Sequence, residues 1–124
     1  MTVLVDTDIL IEVCRGADQE LLSRWSALSQ SDGLILYSPV TLAELLAGAR
    51  SGEQRALINL FHALACAPID AATAARAAEY LRKYQKSHRL ELGDALIASA
   101  AYLNHAKLWT LDRKHYPMKG LSLY

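Results

Sequence analysis

The chain has 124 residues and a mass of 13.7 kDa, the size of one ordinary globular domain. Its 52% hydrophobic content supplies one sizeable core and excludes intrinsic disorder. The 13 basic and 13 acidic residues cancel, so any electrostatic case for a nucleic-acid partner must come from where the charges sit.

Val3-Leu4-Val5 is a short β-branched run without alternation, as expected of a strand buried on both faces. No basic segment precedes it, so no signal peptide is expected. Asp8 is the expected cap of a helix through Ile9, Leu10 and Val13 that stops at Gly16. A second helix is expected from Asp18 to Ser29, on the apolar positions Leu21, Leu22, Trp25 and Leu28. Ser31-Asp32-Gly33 marks a turn before a second buried strand, Leu34-Ile35-Leu36-Tyr37.

Ser38-Pro39 leads into a helix carrying Leu42, Leu45 and Leu46 that stops near Gly48. Another helix covers roughly Glu53 to Leu64, and Ala67-Pro68-Ile69 reads as a short strand. The Ala-rich segment from Ala71 to Lys86 has high helix propensity, and a further helix is expected from Leu92 to His105. Leu108-Trp109-Thr110-Leu111 reads as a strand, and Leu121-Ser122-Leu123 as a last short one. The apolar stretch from Ala95 to Leu103 is too short to span a bilayer, and Cys14 and Cys66 form no CxxC pair. Reduced cysteines, a cytoplasmic setting and no membrane association are therefore expected. Strands alternating with helices predict an α/β domain with a mainly parallel sheet and helices on both faces. Residues 1–124 show no repeat, linker or second domain.

Sites in an open parallel sheet form at the carboxyl ends of the strands, and acids occupy those places. Asp6 follows the first strand, and Asp112 follows Leu108-Trp109-Thr110-Leu111. Glu44 lies one turn into the helix after the second strand, and Asp94 in the first turn of a late helix. Carboxylates about 4 Å apart repel by about 4 kcal/mol at an effective dielectric near 20, which a hard divalent cation removes. An oxygen-only ligand set favours Mg²⁺, with Mn²⁺ as the alternative, over zinc. Each acid also has a structural reading. Asp6 can end a strand, Thr41-Leu42-Ala43-Glu44 fits a helix capping box, Asp94 favours a helix dipole, and Asp112 can cap a short turn.

Together the motifs resemble those of the PIN-domain ribonucleases, and among them the VapC-type toxins of toxin–antitoxin pairs. Val3-Leu4-Val5-Asp6-Thr7-Asp8 is similar to the family's opening strand and first acid. The segments Val40–Ala49, Gly93–Ala101 and Leu108–Tyr116 are similar to its three later motifs, in order. The last is a strand ending in Thr-x-Asp, followed by a basic residue and an aromatic. Ser99 stands where the family usually has Ala or Thr, and Tyr116 where Phe is common.

The resemblance implies a three-layer α/β/α sandwich with strand order 3-2-1-4-5, and a Mg²⁺-dependent endoribonuclease. It implies Asp6 and Asp94 as direct metal ligands, Glu44 and Asp112 as the rest of the acidic cluster, and Thr110 as a residue orienting water or a carboxylate. One or two metals are both compatible. An activated water would hydrolyse the RNA to leave a 5′-phosphate and a 3′-hydroxyl. Basic residues near the acids, Arg89 after Arg82, Lys83, Lys86 and His88, and Arg113 beside Lys114 and His115, are candidates for holding RNA phosphates. The implied partners are a cognate antitoxin protein and a second copy of the chain in a homodimer. Helices carrying Leu42, Leu45, Leu46, Leu57 and Phe61 are the expected source of an antitoxin groove, although such spacing is also that of plain core.

Rival readings fit less well. Asp6-Thr7-Asp8 is the DxD of haloacid-dehalogenase-type phosphotransferases, but Ala98 stands where their late motif needs a second Asp. A receiver-type domain needs a mid-chain Asp, and none lies between Asp32 and Asp70. A non-catalytic PIN-like binding module has no use for four clustered carboxylates, which would only destabilise the fold.

Overall fold

A computed structural model describes all residues, 1–124. Four strands form one parallel sheet in the order β3-β2-β1-β4. They are β1 (Thr2–Val5), β2 (Leu34–Tyr37), β3 (Ala65–Cys66) and β4 (Lys107–Trp109). The helices are α1 (Thr7–Arg15), α2 (Gln19–Ser29), α3 (Pro39–Gly48), α4 (Gln54–His62), α5 (Ala71–His88) and α6 (Leu92–Leu103), followed by a 3-10 turn, Arg113–His115. Leu123 adds a single parallel bridge to Leu108 beyond β4, so the expected fifth strand is reduced to one residue.

The period of two along β1 divides the core into two layers. Val3 and Val5 point to one face, where Ile9, Leu10, Leu21, Leu28, Phe61 and Trp109 cover them from α1, α2, α4 and β4. Leu4 points to the other, against Ile97, Ala98 and Ala101 of α6 and Ala77 and Tyr80 of α5. The arrangement is the expected α/β/α sandwich. Small residues along α6 let it lie close to the sheet, and Ser99 keeps its buried hydroxyl satisfied by donating to the Thr73 carbonyl at 2.8 Å. Phe61 is core, with Leu42 and Leu45 partly buried beside it, and Leu46 and Leu57 are also partly exposed. No helix is long and apolar enough to cross a membrane.

Several boundaries differ from expectation for local reasons. Asp6, not Asp8, caps α1, with its carboxylate accepting from the Thr7 N–H at 2.8 Å. Ser38 caps α3, because Pro39 fits the first helical position and keeps the preceding residue extended. The Thr41–Glu44 capping box is therefore absent. Thr41 is buried and Glu44 projects from mid-helix. β3 lies two residues earlier than expected, since the Ala67 N–H makes the last ladder bond, to the Tyr37 carbonyl, and Pro68 has none to offer.

Helix α6 ends at Leu103 in a Schellman motif. The Ala106 N–H reaches the Ala101 carbonyl at 2.9 Å, and the His105 N–H reaches the Tyr102 carbonyl at 3.1 Å. This places His105 at φ 53°, a conformation that costs a residue with a Cβ about 1 kcal/mol. His105→Gly is accordingly expected to stabilise the fold by roughly 1 kcal/mol, a rise of a few degrees in Tm. Thermal denaturation followed by circular dichroism checks this, and an unchanged or lowered Tm would contradict the assigned cap.

Candidate active site

The carboxyl ends of β1 and β4 and the first turns of α1 and α6 surround a cleft of about 390 Å³. Asp6, Asp8, Glu44, Glu91, Asp94 and Asp112 line it, with Arg89 and His115 its basic groups. All four acids read from the sequence thus reach one place, as does Arg89. Thr110 lies beneath, buried. Arg113 points away and donates to the Tyr124 backbone carbonyl at 3.0 Å.

Asp6 is the innermost acid, 8% exposed at the end of the central strand. One carboxylate oxygen accepts from the Thr7 N–H at 2.8 Å. The other accepts from the Thr110 hydroxyl and the Tyr116 hydroxyl, both at 2.9 Å. Burial raises its pKa, the three donors oppose that rise, and the negative charge of Asp94 adds to it. Asp94 lies in the first turn of α6, accepting from the Glu91 N–H at 3.2 Å and from His115 Nε2 at 2.9 Å. Gly93 lets this turn approach α3, since a Cβ there would stand 3.2 Å from Val40 Cγ1. Glu44 is exposed and accepts from the Thr7 hydroxyl at 2.9 Å, and that hydroxyl also meets Thr41 at 2.9 Å. Asp112 is exposed and its carboxylate has no partner. Its N–H donates to the Thr110 hydroxyl oxygen at 3.1 Å, linking it to Asp6.

Asp8 and Tyr116 were not among the candidates, and His115 was named only as a basic neighbour of Arg113 for phosphate binding. Asp8 Oδ2 accepts from the Leu111 N–H at 3.1 Å, while Oδ1 is buried with no partner. Burial, then the charge of Asp6, lifts the Asp8 carboxyl to about 6. The sequence held a signal for it, the DxD spacing, which puts two acids into one tight turn after a buried strand. His115 follows Asp112 by three residues, and in a 3-10 turn side chains at that spacing eclipse. Both therefore face the cleft, while the intervening Arg113 does not. Nothing in the spacing of the histidines announces this contact.

The donor chemistry suits a hard divalent cation: the acids offer oxygens only, and Asp8 Oδ1 is buried without a partner. As placed, no three of the side chains are gathered closely enough to hold an ion. Thr110 and Tyr116 donate to Asp6, and His115 Nε2 meets Asp94 Oδ2.

The raised pKa values set the sign of a pH dependence. Above about pH 4 the folded protein keeps protons on Asp6 and Asp8 that the unfolded chain releases, and on Asp8 this holds up to about pH 6. The folded state then binds more protons, so stability falls as pH rises through that window. The metal-free protein is expected to melt at higher temperature at pH 5 than at pH 7, with a smaller difference in Asp8→Asn. Calorimetry at the two pH values checks it, and a Tm that falls on acidification contradicts it.

The PIN domain family model matches residues 3–121. Ribonuclease VapC10 of Mycobacterium tuberculosis is 37% identical over 118 residues, covering 94% of this chain and 86% of that protein. Ribonuclease VapC19 of the same organism is 31% identical over 116 residues, covering 93% and 92%. Similar folds occur in VapBC-1 from nontypeable Haemophilus influenzae, with a TM-score of 0.83 and 23% identity over 100% of this chain and 97% of that one. VapBC2 from Rickettsia felis, bound to a DNA fragment from its promoter, gives a TM-score of 0.78 and 24% identity over 100% and 98%. With the sheet order, the acidic cleft and these matches in agreement, the chain belongs to the PIN-domain family.

Proposed function

We propose that residues 1–124 form a single nuclease domain, a divalent-metal-dependent endoribonuclease acting as the toxin of a VapBC-type pair. One observation carries the reading: six carboxylates, from the starts of α1 and α6, from α3 and from the end of β4, line one cleft at the carboxyl edge of a parallel sheet, with Asp6 buried among them. Burying a carboxylate beside others is costly unless a cation neutralises them.

In this reading Asp6 and Asp94 hold Mg²⁺, or Mn²⁺ in its place, and Glu44 and Asp112 complete the acidic set. The bound cation supplies Lewis-acid polarisation of the phosphodiester and a lowered pKa for water. Thr110 fixes the orientation of Asp6 through its 2.9 Å hydrogen bond, and Thr7 fixes Glu44. Glu44 and Asp112, the exposed acids, orient the attacking water and receive its proton. Water oxygen bonds to phosphorus as the bond from phosphorus to O3′ breaks, and O3′ takes a proton from solvent in the open cleft, leaving a 3′-hydroxyl and a 5′-phosphate. Arg89, at the cleft, supplies positive charge for an RNA phosphate. Arg113, tied to the Tyr124 carbonyl, must leave that contact to do the same.

The VapBC assemblies among similar structures support a cognate antitoxin as partner, and a homodimeric toxin is proposed on the family resemblance alone. The exposed, unpaired Cys14 and Cys66 fit a reducing, cytoplasmic setting.

The test is incubation of antitoxin-free protein with total cellular RNA and Mg²⁺ or Mn²⁺, beside an EDTA control and Asp94→Asn. Discrete cleavage is expected, abolished by EDTA and slowed at least about a hundredfold in the variant. Neither cleavage nor metal binding would leave a non-catalytic binding module as the better account.

A further inference from the structure

Tyr116 follows the 3-10 turn and is 4% exposed, with its ring in the core layer beneath α6. Its hydroxyl stands between the two innermost acids, 2.9 Å from Asp6 Oδ2 and 3.4 Å from Asp94 Oδ1. A phenol has one proton to give, and the shorter contact places it on Asp6. The longer contact still keeps the hydroxyl dipole between two carboxylates that otherwise face each other. No packing requirement explains the oxygen, because a phenylalanine fills the same ring volume. Burial and the charges of Asp6 and Asp94 raise the Tyr116 pKa, so the group stays a neutral donor throughout the physiological range.

We propose that Tyr116 is a positioning residue of the acidic site, its hydroxyl fixing the orientation of the Asp6 carboxylate beside Asp94 so that both can be drawn to a divalent cation. The inference rests on the metal-dependent reading above. Tyr116 does not touch the substrate and acts only through the two carboxylates. Thr110 shares the load on Asp6, donating to the same oxygen at 2.9 Å, but Tyr116 alone also reaches Asp94. His115, the preceding residue, holds the other oxygen of Asp94 at 2.9 Å, so neighbouring residues of one turn grip both acids. Donors of this kind commonly govern metal affinity as strongly as ligands do, with removal weakening binding 10–100-fold.

Tyr116→Phe removes the oxygen and leaves the ring. Mn²⁺ binding to the RNA-free protein, followed by electron paramagnetic resonance of the free ion, is expected to weaken by about tenfold or more. Circular dichroism establishes that the variant is folded. In RNA cleavage, the Mn²⁺ concentration for half-maximal rate should rise by a similar factor while the saturated rate changes much less. Unchanged or tighter Mn²⁺ binding by a folded variant overturns the proposal, since the hydroxyl would then be idle or a competitor of the ion. So does a variant too poorly folded to bind Mn²⁺, because the oxygen would then serve the core. Wild-type protein that binds Mn²⁺ but cuts no RNA refutes the nuclease reading and leaves the Tyr116 comparison intact. Wild-type protein that binds no Mn²⁺ refutes both.

Discussion

A buried carboxylate at the end of the central strand governs the arrangement of everything near it. Asp6 can stay ionised there only if donors replace the water it has lost, since the cost of an unpaired buried charge is several kcal/mol. Its three donors come from three places: the first residue of α1, the end of β4 and the residue after the 3-10 turn. Two of them are more than a hundred residues away in sequence. β4 must therefore lie beside β1, and the Asp6 N–H meeting the Trp109 carbonyl at 2.9 Å locks that pairing at the point of need. The donors do not fully offset burial, and Asp6 and Asp8 both remain harder to ionise than free aspartates. The fold thus retains an electrostatic deficit at the mouth of its sheet, of the sort that bound positive charge relieves.

The other acids are held less tightly, in an order that follows burial. Asp94 is half-exposed and lies at the positive end of α6, where the helix dipole and the Glu91 N–H favour its charge. Glu44 and Asp112 are exposed, one with a single threonine donor and the other with none. The gradient from a fixed inner acid to free outer ones suits a site in which the inner pair defines position and the outer pair adjusts to what enters.

Much of this was legible in the sequence. The β-branched runs and their spacing gave the sheet and its layers, because buried parallel strands leave an unmistakable apolar signature. The four acids were found because each follows a strand or opens a helix, positions that a parallel sheet brings together. What stayed hidden depended on local geometry that side-chain identity underdetermines. Asp8 and Asp6 compete for one helix cap, and only backbone direction decides between them. Thr41 to Glu44 has the spacing of a capping box, yet Pro39 starts the helix three residues sooner. The role of Tyr116 was invisible, since an aromatic after a basic residue reads as packing until the direction of its hydroxyl is known.

The segment from Thr110 to Tyr116 shows how so short a stretch can organise the cleft. Two contacts fix its start, the Leu111 N–H on Asp8 at the cleft and the Arg113 guanidinium on the Tyr124 carbonyl away from it. From there the tight 3-10 winding leaves little freedom. Asp112 and His115, three apart, must face the same side, and the next residue is carried inward to the core. An α-helical turn would leave the two about 60° apart around the axis rather than eclipsed. The 3-10 winding turns one member of a basic run, His115, into the cleft while Arg113 anchors outward, and it is followed directly by the buried donor Tyr116. The chemistry of the site therefore depends on the winding of this turn as much as on the acids it serves.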